Sequence, residues 1–454
     1  MEFSRLLRLY GLAALGTALL VLILHLAFTP RGIHLTGATI LVEASDNYPL
    51  PPAHIDAEAM AGEWKPVALP NASVPALDTM LTSDPAALPT QTSWYRVDLP
   101  RAVRPSEANY LYIPRWKSDG ELAIYINGQL QYQSHANLLW NGSNRPLRIA
   151  FDNTTETEPV EQIVLRLQHL RGTGGALSSM WIGNFQDVGL PYLVRSFFQA
   201  DLPYIISAAF LVCGFFALFF WLSRREEKLY ALFFLMSVVN FLRVMHNYMG
   251  LERLPISDSW FGWLTVNSLL WMIGIVHLFL AAMHQRPSRA INWCVGVSTL
   301  VLGIITCPLL HGTLEPTLSA FILYVVMFLL ANLVAIAGLR ASWQARATEA
   351  IGLAAWVFFI TYLGVYDLLL QQNLVNIEGY FLVPYAQIAI VVGSFHAIIS
   401  RYTSAVREVE RSNALMAERL AARGRIAGQP SKGARDRAAR IAPPRAPAAD
   451  GRHA

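Results

Sequence analysis

Long apolar segments between residues 201 and 402 constrain this chain more than any other feature. Each approaches the ~20 residues that a helix needs to cross a bilayer. Backbone amides in hydrocarbon must find partners within their own segment, so these segments are predicted to be helices. The sequence therefore predicts a membrane protein with a seven-helix transmembrane bundle, whose segments are 202–222, 229–249, 261–284, 291–310, 317–339, 349–370 and 380–400.

The charges of the connecting loops predict the orientation of this bundle. The loops after the first, third, fifth and seventh segments are basic, whereas the three intervening loops carry almost no positive charge. Basic loops remain on the cytoplasmic side of a membrane. We therefore expect the bundle to begin outside and to end inside the cytoplasm.

Composition excludes several classes of function. The net charge of +4 is small and is concentrated in the basic loops and the tail, so no nucleic-acid partner is expected. The three cysteines, Cys213, Cys294 and Cys307, all lie in predicted membrane segments, which leaves no disulfide or cysteine metal site for a soluble domain. No lysine lies in a membrane segment, so a retinal Schiff base is excluded. No cofactor is expected.

The N-terminal residues 1–30 are predicted to form a membrane anchor. Arg5 and Arg8 precede an apolar run over residues 9–28. A signal peptide is the alternative, but its apolar core is usually shorter and is followed by a cleavage site between small residues. An uncleaved anchor sends the following segment outside, in agreement with the loop charges.

Residues 31–200 are polar enough to be soluble and fall into two parts. Residues 31–89 are rich in Pro, Ala and Asp and are predicted to be irregular. Residues 90–200 contain short alternating runs separated by turn residues, among them Asn127-Gly128, a strong hairpin signal. We expect an all-β sandwich or jelly roll here.

Several motifs carry a resemblance to known families. The β region resembles the jelly-roll, galactose-binding-like modules found before some sugar-processing enzymes, through Ser93-Trp94-Tyr95-Arg96, Tyr125-Ile126-Asn127-Gly128 and Met180-Trp181-Ile182-Gly183. The chain over about residues 90–415 resembles the bacterial seven-transmembrane receptors with diverse intracellular signalling modules. That resemblance rests on the charged loop at residues 223–230, the exit Gly393-Ser394-Phe395-His396 and the order of the parts. It implies a receptor of the bacterial inner membrane with a periplasmic sensor domain.

Candidate ligand-binding residues lie in the β region. Aromatic faces stack on sugar rings, so one interpretation is a carbohydrate-binding surface; the other is a sandwich core in which Arg96 pairs across strands. Asn127 is included because it closes the central hairpin. The candidates are Trp94, Tyr95, Arg96, Trp116 and Asn127.

Polar residues at membrane depth form a second group, since such groups usually face a cavity or each other. In the outer half, one interpretation is a polar pocket open to the outside. The other is an Arg243–Asp367 ion pair, with amides that bond helices together. An inner layer containing His277, Asn332 and His396 permits a haem or metal bridge, but interhelical hydrogen bonding is favoured and no metal site is predicted. The intramembrane polar candidates are Asn240, Arg243, His246, Asn267, His277, Asp367, Gln387 and His396.

The segment after the last apolar run, residues 403–423, is predicted to be a cytoplasmic coiled-coil helix. Its seam has heptad spacing, with an asparagine that would fix the register of a parallel homodimer. An amphipathic helix lying on the lipid bilayer is the alternative. Residues 424–454 are basic and without periodicity, and are predicted to be disordered. The seam consists of Val406, Val409, Asn413, Met416 and Leu420.

Two classes of function remain. The first is the sensor half of a receptor, which binds a small ligand outside, a carbohydrate among the candidates, and changes the cytoplasmic helix. The resemblance implies a kinase or cyclase after the last helix, but none is recognised, so we expect a truncated chain or a separate cytoplasmic signalling partner and no enzyme. The alternative is a membrane enzyme or transporter for envelope glycans or lipids, with the β domain as substrate holder.

Overall fold

The computed structural model describes residues 28–45, 48–72, 90–103, 109–118, 120–135, 145–151, 159–170, 175–245, 258–310 and 316–428, and the single positions 19, 23 and 256. Almost all of the predicted anchor, His246 and the predicted tail from residue 429 onwards lie outside the described residues.

The N-terminal region is a β domain, as the sequence predicts. Its described strands pair antiparallel in a six-stranded sheet of order β3-β2-β5-β11-β8-β9, a four-stranded sheet of order β1-β13-β6-β10 and a small sheet of order β4-β12-β7. The strands are β1 Ile33–Leu35, β2 Gly37–Ser45, β3 Lys65–Ala68, β4 Asn71–Ala72, β5 Thr90–Val103, β6 Tyr110–Ile113, β7 Trp116–Lys117, β8 Glu121–Ile126, β9 Gln129–His135, β10 Leu147–Ala150, β11 Val160–Leu170, β12 Ala176–Leu177 and β13 Met180–Gly183.

One apolar core lies between the two larger sheets. Ile124 and Leu165 of the six-stranded sheet pack in the same cluster as Leu111 and Ile182 of the four-stranded sheet. Because side chains alternate along a strand, the opposite face of the six-stranded sheet carries a second cluster. That cluster includes Leu41 and Trp94, and residues 48–64 cover it.

The prediction that residues 31–89 are irregular is wrong for β1 to β4. Strand β2 pairs with β5 from Thr39 to Ser45, within the six-stranded sheet. Its sequence GATILVEAS lacks a clean alternation, since Ile40 packs against the core between the sheets and the next residue, Leu41, belongs to the cluster that residues 48–64 cover. Apolar side chains on both faces make a strand harder to recognise from periodicity.

Each of the predicted apolar segments overlaps one helix among the described residues. Helix α1 is the continuous helix Phe185–Ser223, with π-helical turns at Phe185–Gly189 and Phe197–Asp201. The others are α2 Lys228–Val244, α3 Asp258–His284, α4 Arg289–Ile305, α5 Pro316–Ala345, α6 Thr348–Gln371 and α7 Val383–Gly428.

Five of these helices are long and apolar enough to cross a membrane: α1, α3 over Trp260–His284, α5 over Leu323–Ala345, α6, and α7 over Val383–Ser400. Helix α4 is a shorter apolar helix, and α2 has 17 residues. By the length and composition of its helices, the chain is a multi-pass membrane protein. It divides into two compact units, one ending at Phe395 and the other beginning at His396.

Candidate functional site at the junction of the β domain and the helices

The β domain is joined to the helices without a flexible linker. Strand β13 ends at Gly183, and Asn184 caps the next helix by accepting from the backbone N–H of Gln186 at 2.8 Å and of Asp187 at 3.1 Å. The Asp187 carboxylate accepts in return from the Asn184 N–H at 3.3 Å. This reciprocal cap satisfies the first amides of the helix. The β domain is therefore followed directly by α1, with Asn184 as the only residue between β13 and the helix.

Two buried arginines lie at this junction. Arg115 follows β6 and is 3% exposed, and Arg195 lies on α1 and is 8% exposed. The Arg115 Nη2 donates to the carbonyl of Gly379 at 2.9 Å, and the Arg195 Nη2 donates to the carbonyl of Glu378 at 2.6 Å. Both arginines therefore bind the loop at residues 372–382, which connects α6 to α7.

The groups in direct contact with these two positive charges are neutral. With its oxygen facing both arginines, the Gln199 amide accepts from Arg195 Nε at 2.8 Å and from Arg115 Nη2 at 3.1 Å. Arg115 lies 4.9 Å from the ring centre of Phe381, and Arg195 lies 5.0 Å from that of Tyr380. Such cation–π contacts stabilise a cation removed from water.

The two buried arginine charges depend on the groups that bind them. Burial, followed by the nearby Arg195 charge, lowers the pKa of Arg115 to about 9. Its guanidinium therefore remains charged at neutral pH. No described carboxylate forms an ion pair with either arginine. The loop carbonyls are consequently essential partners, because a buried charge without hydrogen bonds is strongly unfavourable.

The β domain holds the same loop through two further contacts. The Glu378 carboxylate accepts from the backbone N–H of Ser179 at 2.8 Å and from its hydroxyl at 2.7 Å. The Lys117 ammonium donates to the carbonyl of Gln371 at 2.5 Å. Residues from before β7, within β7 and before β13 therefore all contact the α6–α7 connection.

Asp367 fixes the start of the last helix. Its carboxylate accepts from the backbone N–H of Leu382 at 2.7 Å and of Val383 at 2.9 Å, which are orphan donors at a helix start. The charges of Arg243 and Arg115 also act on this carboxylate. The direct Arg243–Asp367 ion pair stays a prediction, whereas the cap is a contact that the sequence analysis missed.

The structure does not bring the five predicted ligand residues into one surface. Tyr95 and Trp116 are buried in the core between the sheets, while Trp94 packs on the outer face of the six-stranded sheet. Arg96 lies 3.4 Å from Asp98 on its own strand, rather than pairing across strands. Asn127 has a φ of 47° and its side chain accepts from the N–H groups of residues 161 and 162, so it stabilises the hairpin turn.

Several predicted intramembrane residues connect neighbouring helices. The Asn240 amide donates to the Ser207 hydroxyl at 3.2 Å, which joins α2 to α1. The His277 Nε2 forms a 2.7 Å hydrogen bond with Asn292 Oδ1, which joins α3 to α4.

The remaining intramembrane candidates occupy varied positions. Asn267 donates to the Thr306 hydroxyl at 3.0 Å, beyond the end of α4. Gln387 is half-buried on α7, and His396 lies on an exposed face of that helix. Of these amides, Asn240 joins two helices, whereas Asn267 joins α3 to the residue that follows α4.

Comparisons with known proteins add little. No protein-family model and no curated protein matches this chain. A solved structure of the Faecalibacterium prausnitzii beta-glucuronidase matches with 13% sequence identity and a TM-score of 0.20, over 31% of this chain and 21% of that chain. The chain thus spans about a fifth of that enzyme's length, and a similarity this weak supports no argument about function.

Proposed function

We propose that this chain is the sensor half of a transmembrane signalling receptor in the bacterial inner membrane. In this proposal, residues 31–200 lie in the periplasm, seven helices cross the membrane and the C-terminal helix lies in the cytoplasm. A small extracytoplasmic ligand, a carbohydrate in our proposal, changes the β domain, and α7 passes the change to a cytoplasmic output module.

The contacts of the α6–α7 loop are the observation that carries this proposal. Arg115 and Ser179 of the β domain, with Arg195 of the attached helix, hold residues 378 and 379. The first turn of α7 follows that loop within a few residues. In this proposal, a displacement of the β domain shifts the start of α7, a helix of 46 residues.

The cytoplasmic part of α7 supports transmission through a homodimer. The four apolar residues of the predicted seam, Val406, Val409, Met416 and Leu420, are all exposed. A second copy in parallel register would bury them, and an asparagine at residue 413 would disfavour slipped registers.

Single-cysteine crosslinking tests this proposal. With Cys213, Cys294 and Cys307 replaced by alanine, cysteines are introduced one at a time along residues 404–420. Seam positions should crosslink between subunits, whereas Arg407, Arg411 and Glu418 on the other faces should not. Uniform or absent crosslinking would contradict the dimer.

Coupling between the β domain and α7 is then tested at their junction. Glu378→Ala removes the acceptor of the two Ser179 donors and should change crosslinking efficiency at residues 406 and 409. Glu226→Ala, which removes an acid from an exposed loop, is the matched control and should leave it unchanged. Identical crosslinking patterns in the parent, Glu378→Ala and Glu226→Ala proteins would mean that the junction does not transmit a signal.

A further inference from the structure

Residues 48–64, which we call the strap, cross the outer face of the six-stranded sheet. At one end, the carbonyl of Pro49 accepts from Arg166 Nη2 at 2.7 Å and from Gln168 Nε2 at 3.0 Å. Farther along, His54 pairs with Gln129 in an antiparallel bridge. The strap is thus attached by a few hydrogen bonds at two places and by apolar contacts between them.

The sheet face beneath the strap is unusually polar for a buried surface. Arg166 is 3% exposed and lies 5.5 Å from the ring centre of Trp94. The Trp94 indole N–H donates to the Glu43 carboxylate at 3.0 Å. Glu121 and Gln168 on the same face are also buried. Burial of polar groups is unfavourable unless each is hydrogen-bonded or paired.

Two buried donors on this face, Arg166 Nη1 and the Tyr125 hydroxyl, have no hydrogen-bond partner among the described residues, and the Trp64 indole nitrogen of the strap also has none. Arg96 Nε makes no hydrogen bond but lies 3.4 Å from the Asp98 carboxylate. Tyr125 is fully buried, and burial raises its pKa to about 12, so its hydroxyl carries a proton at neutral pH. Buried donors almost always have partners. Whatever completes this face must supply acceptor atoms.

The charges on the face indicate the class of ligand. Arg96 and Arg166 are balanced by Glu43, Glu121 and Asp98, so there is no excess positive charge to attract an anion. Unpartnered donors beside carboxylates suit hydroxyl groups, each of which can accept one hydrogen bond and donate another. Aromatic rings with a few convergent polar groups are typical of small-molecule sites.

We infer that the face beneath the strap binds a neutral sugar, whose hydroxyl oxygens replace the Pro49 carbonyl on Arg166 and engage Tyr125 when the strap moves aside. The claim that sugar binding at this face generates a signal rests on the proposed sensor function. The inference names a site that differs from the five residues predicted from sequence, although Trp94 and Arg96 belong to both.

A reversible disulfide tests whether the strap must move. The bonds from Ile55 N–H to the Gly128 carbonyl and from Leu130 N–H to the Ala53 carbonyl flank the bridge of His54 and Gln129. Paired residues with this pattern have Cα atoms about 4.5 Å apart, within the range of a disulfide. The double variant His54→Cys/Gln129→Cys is therefore made in the full chain with its natural cysteines replaced by alanine.

Binding of D-glucose, D-galactose and N-acetyl-D-glucosamine is measured by tryptophan fluorescence, with D-glucuronate as the charged comparison. At least one neutral sugar should give a saturable change in the reduced protein, and the change should be lost on oxidation and recovered on reduction. Equal binding in both redox states, no saturable binding by any neutral sugar, or binding of the uronate alone would overturn the inference.

Two point variants provide an independent test. Tyr125→Phe removes a hydroxyl that has no partner, so the fold should be unaffected while affinity falls several-fold; Arg166→Gln should weaken binding at least 10-fold. Tyr132→Phe, on the core side of a neighbouring strand, should bind as the parent does. Unchanged affinity in Tyr125→Phe and Arg166→Gln would exclude this site. Binding that leaves seam crosslinking unchanged would support the site and contradict the receptor proposal instead.

Discussion

The cap that Asp367 forms on helix α7 leads to the most specific prediction. Its carboxylate holds the N–H groups of Leu382 and Val383 at 2.7 and 2.9 Å. Asp367→Ala leaves both donors without this partner, whereas Asp367→Asn keeps one acceptor oxygen but loses the charge. The alanine variant should therefore be clearly less stable than the asparagine variant.

The size of the effect follows from these two bonds. Hydrogen bonds to a charged group contribute roughly 1.5–3 kcal/mol each, and loss of a helix cap costs about 0.5–2 kcal/mol. Leu382 and Val383 are half-buried, so water partly replaces the lost acceptor. We expect a loss of about 2–3 kcal/mol for alanine and about 1 kcal/mol for asparagine. For a large chain, the alanine variant should melt about 5 °C lower.

Thermal unfolding in detergent measures this change. A thiol-reactive fluorescent dye reports unfolding through Cys213 and Cys307, both partly buried in the folded protein. Glu226→Ala, at an exposed acid, should melt as the parent does and serves as the control.

The charge-swapped double variant Arg243→Asp/Asp367→Arg distinguishes a cap from an ion pair. A guanidinium has no acceptor, so arginine at residue 367 cannot hold the two N–H groups and stability should not recover. A swapped protein more stable than the sum of the two single changes would refute the cap as the main role of Asp367 and would favour the ion pair.

Three further predictions concern orientation, the junction and the hairpin. Reporter fusions that are active only in the periplasm should work at Gln372 and fail at Arg411, and a periplasmic signal at Arg411 would contradict the proposed topology. Arg195→Met removes the donor to the Glu378 carbonyl and should increase proteolytic cleavage in the loop at residues 372–382; an unchanged cleavage rate would mean that the loop does not depend on this contact. Asn127→Ala should lower the stability of the β domain by about 2 kcal/mol, since it loses side-chain hydrogen bonds at a positive φ, and Asn127→Gly should lose less in the same melting assay because glycine tolerates that φ.

Local patterns in the sequence determine much of this fold. Each predicted apolar segment overlaps a helix among the described residues, and five of these helices are long and apolar enough to cross a membrane. Long apolar segments favour helices because backbone amides in hydrocarbon must bond within their own segment. The Asn127-Gly128 turn joins β8 to β9 as predicted, because both residues adopt positive φ and that property is local. The burial of Tyr95 follows from side-chain alternation along β5, although the sequence alone left a sugar-binding surface as an alternative.

The junction and the strap were decided by tertiary structure. Arg115 bonds to Gly379, 264 residues away along the chain, and no periodicity or motif relates two such positions. The same holds for Pro49 and Arg166, because every residue has a backbone carbonyl and the sequence does not show which one accepts a hydrogen bond. An aspartate in an apolar helix indicates that some partner exists, but only the packed chain shows that the partners of Asp367 include the amides that begin helix α7. Short stretches of sequence determine local hydrogen bonding and hydrophobicity, whereas contacts between distant backbone groups arise only when the chain is folded.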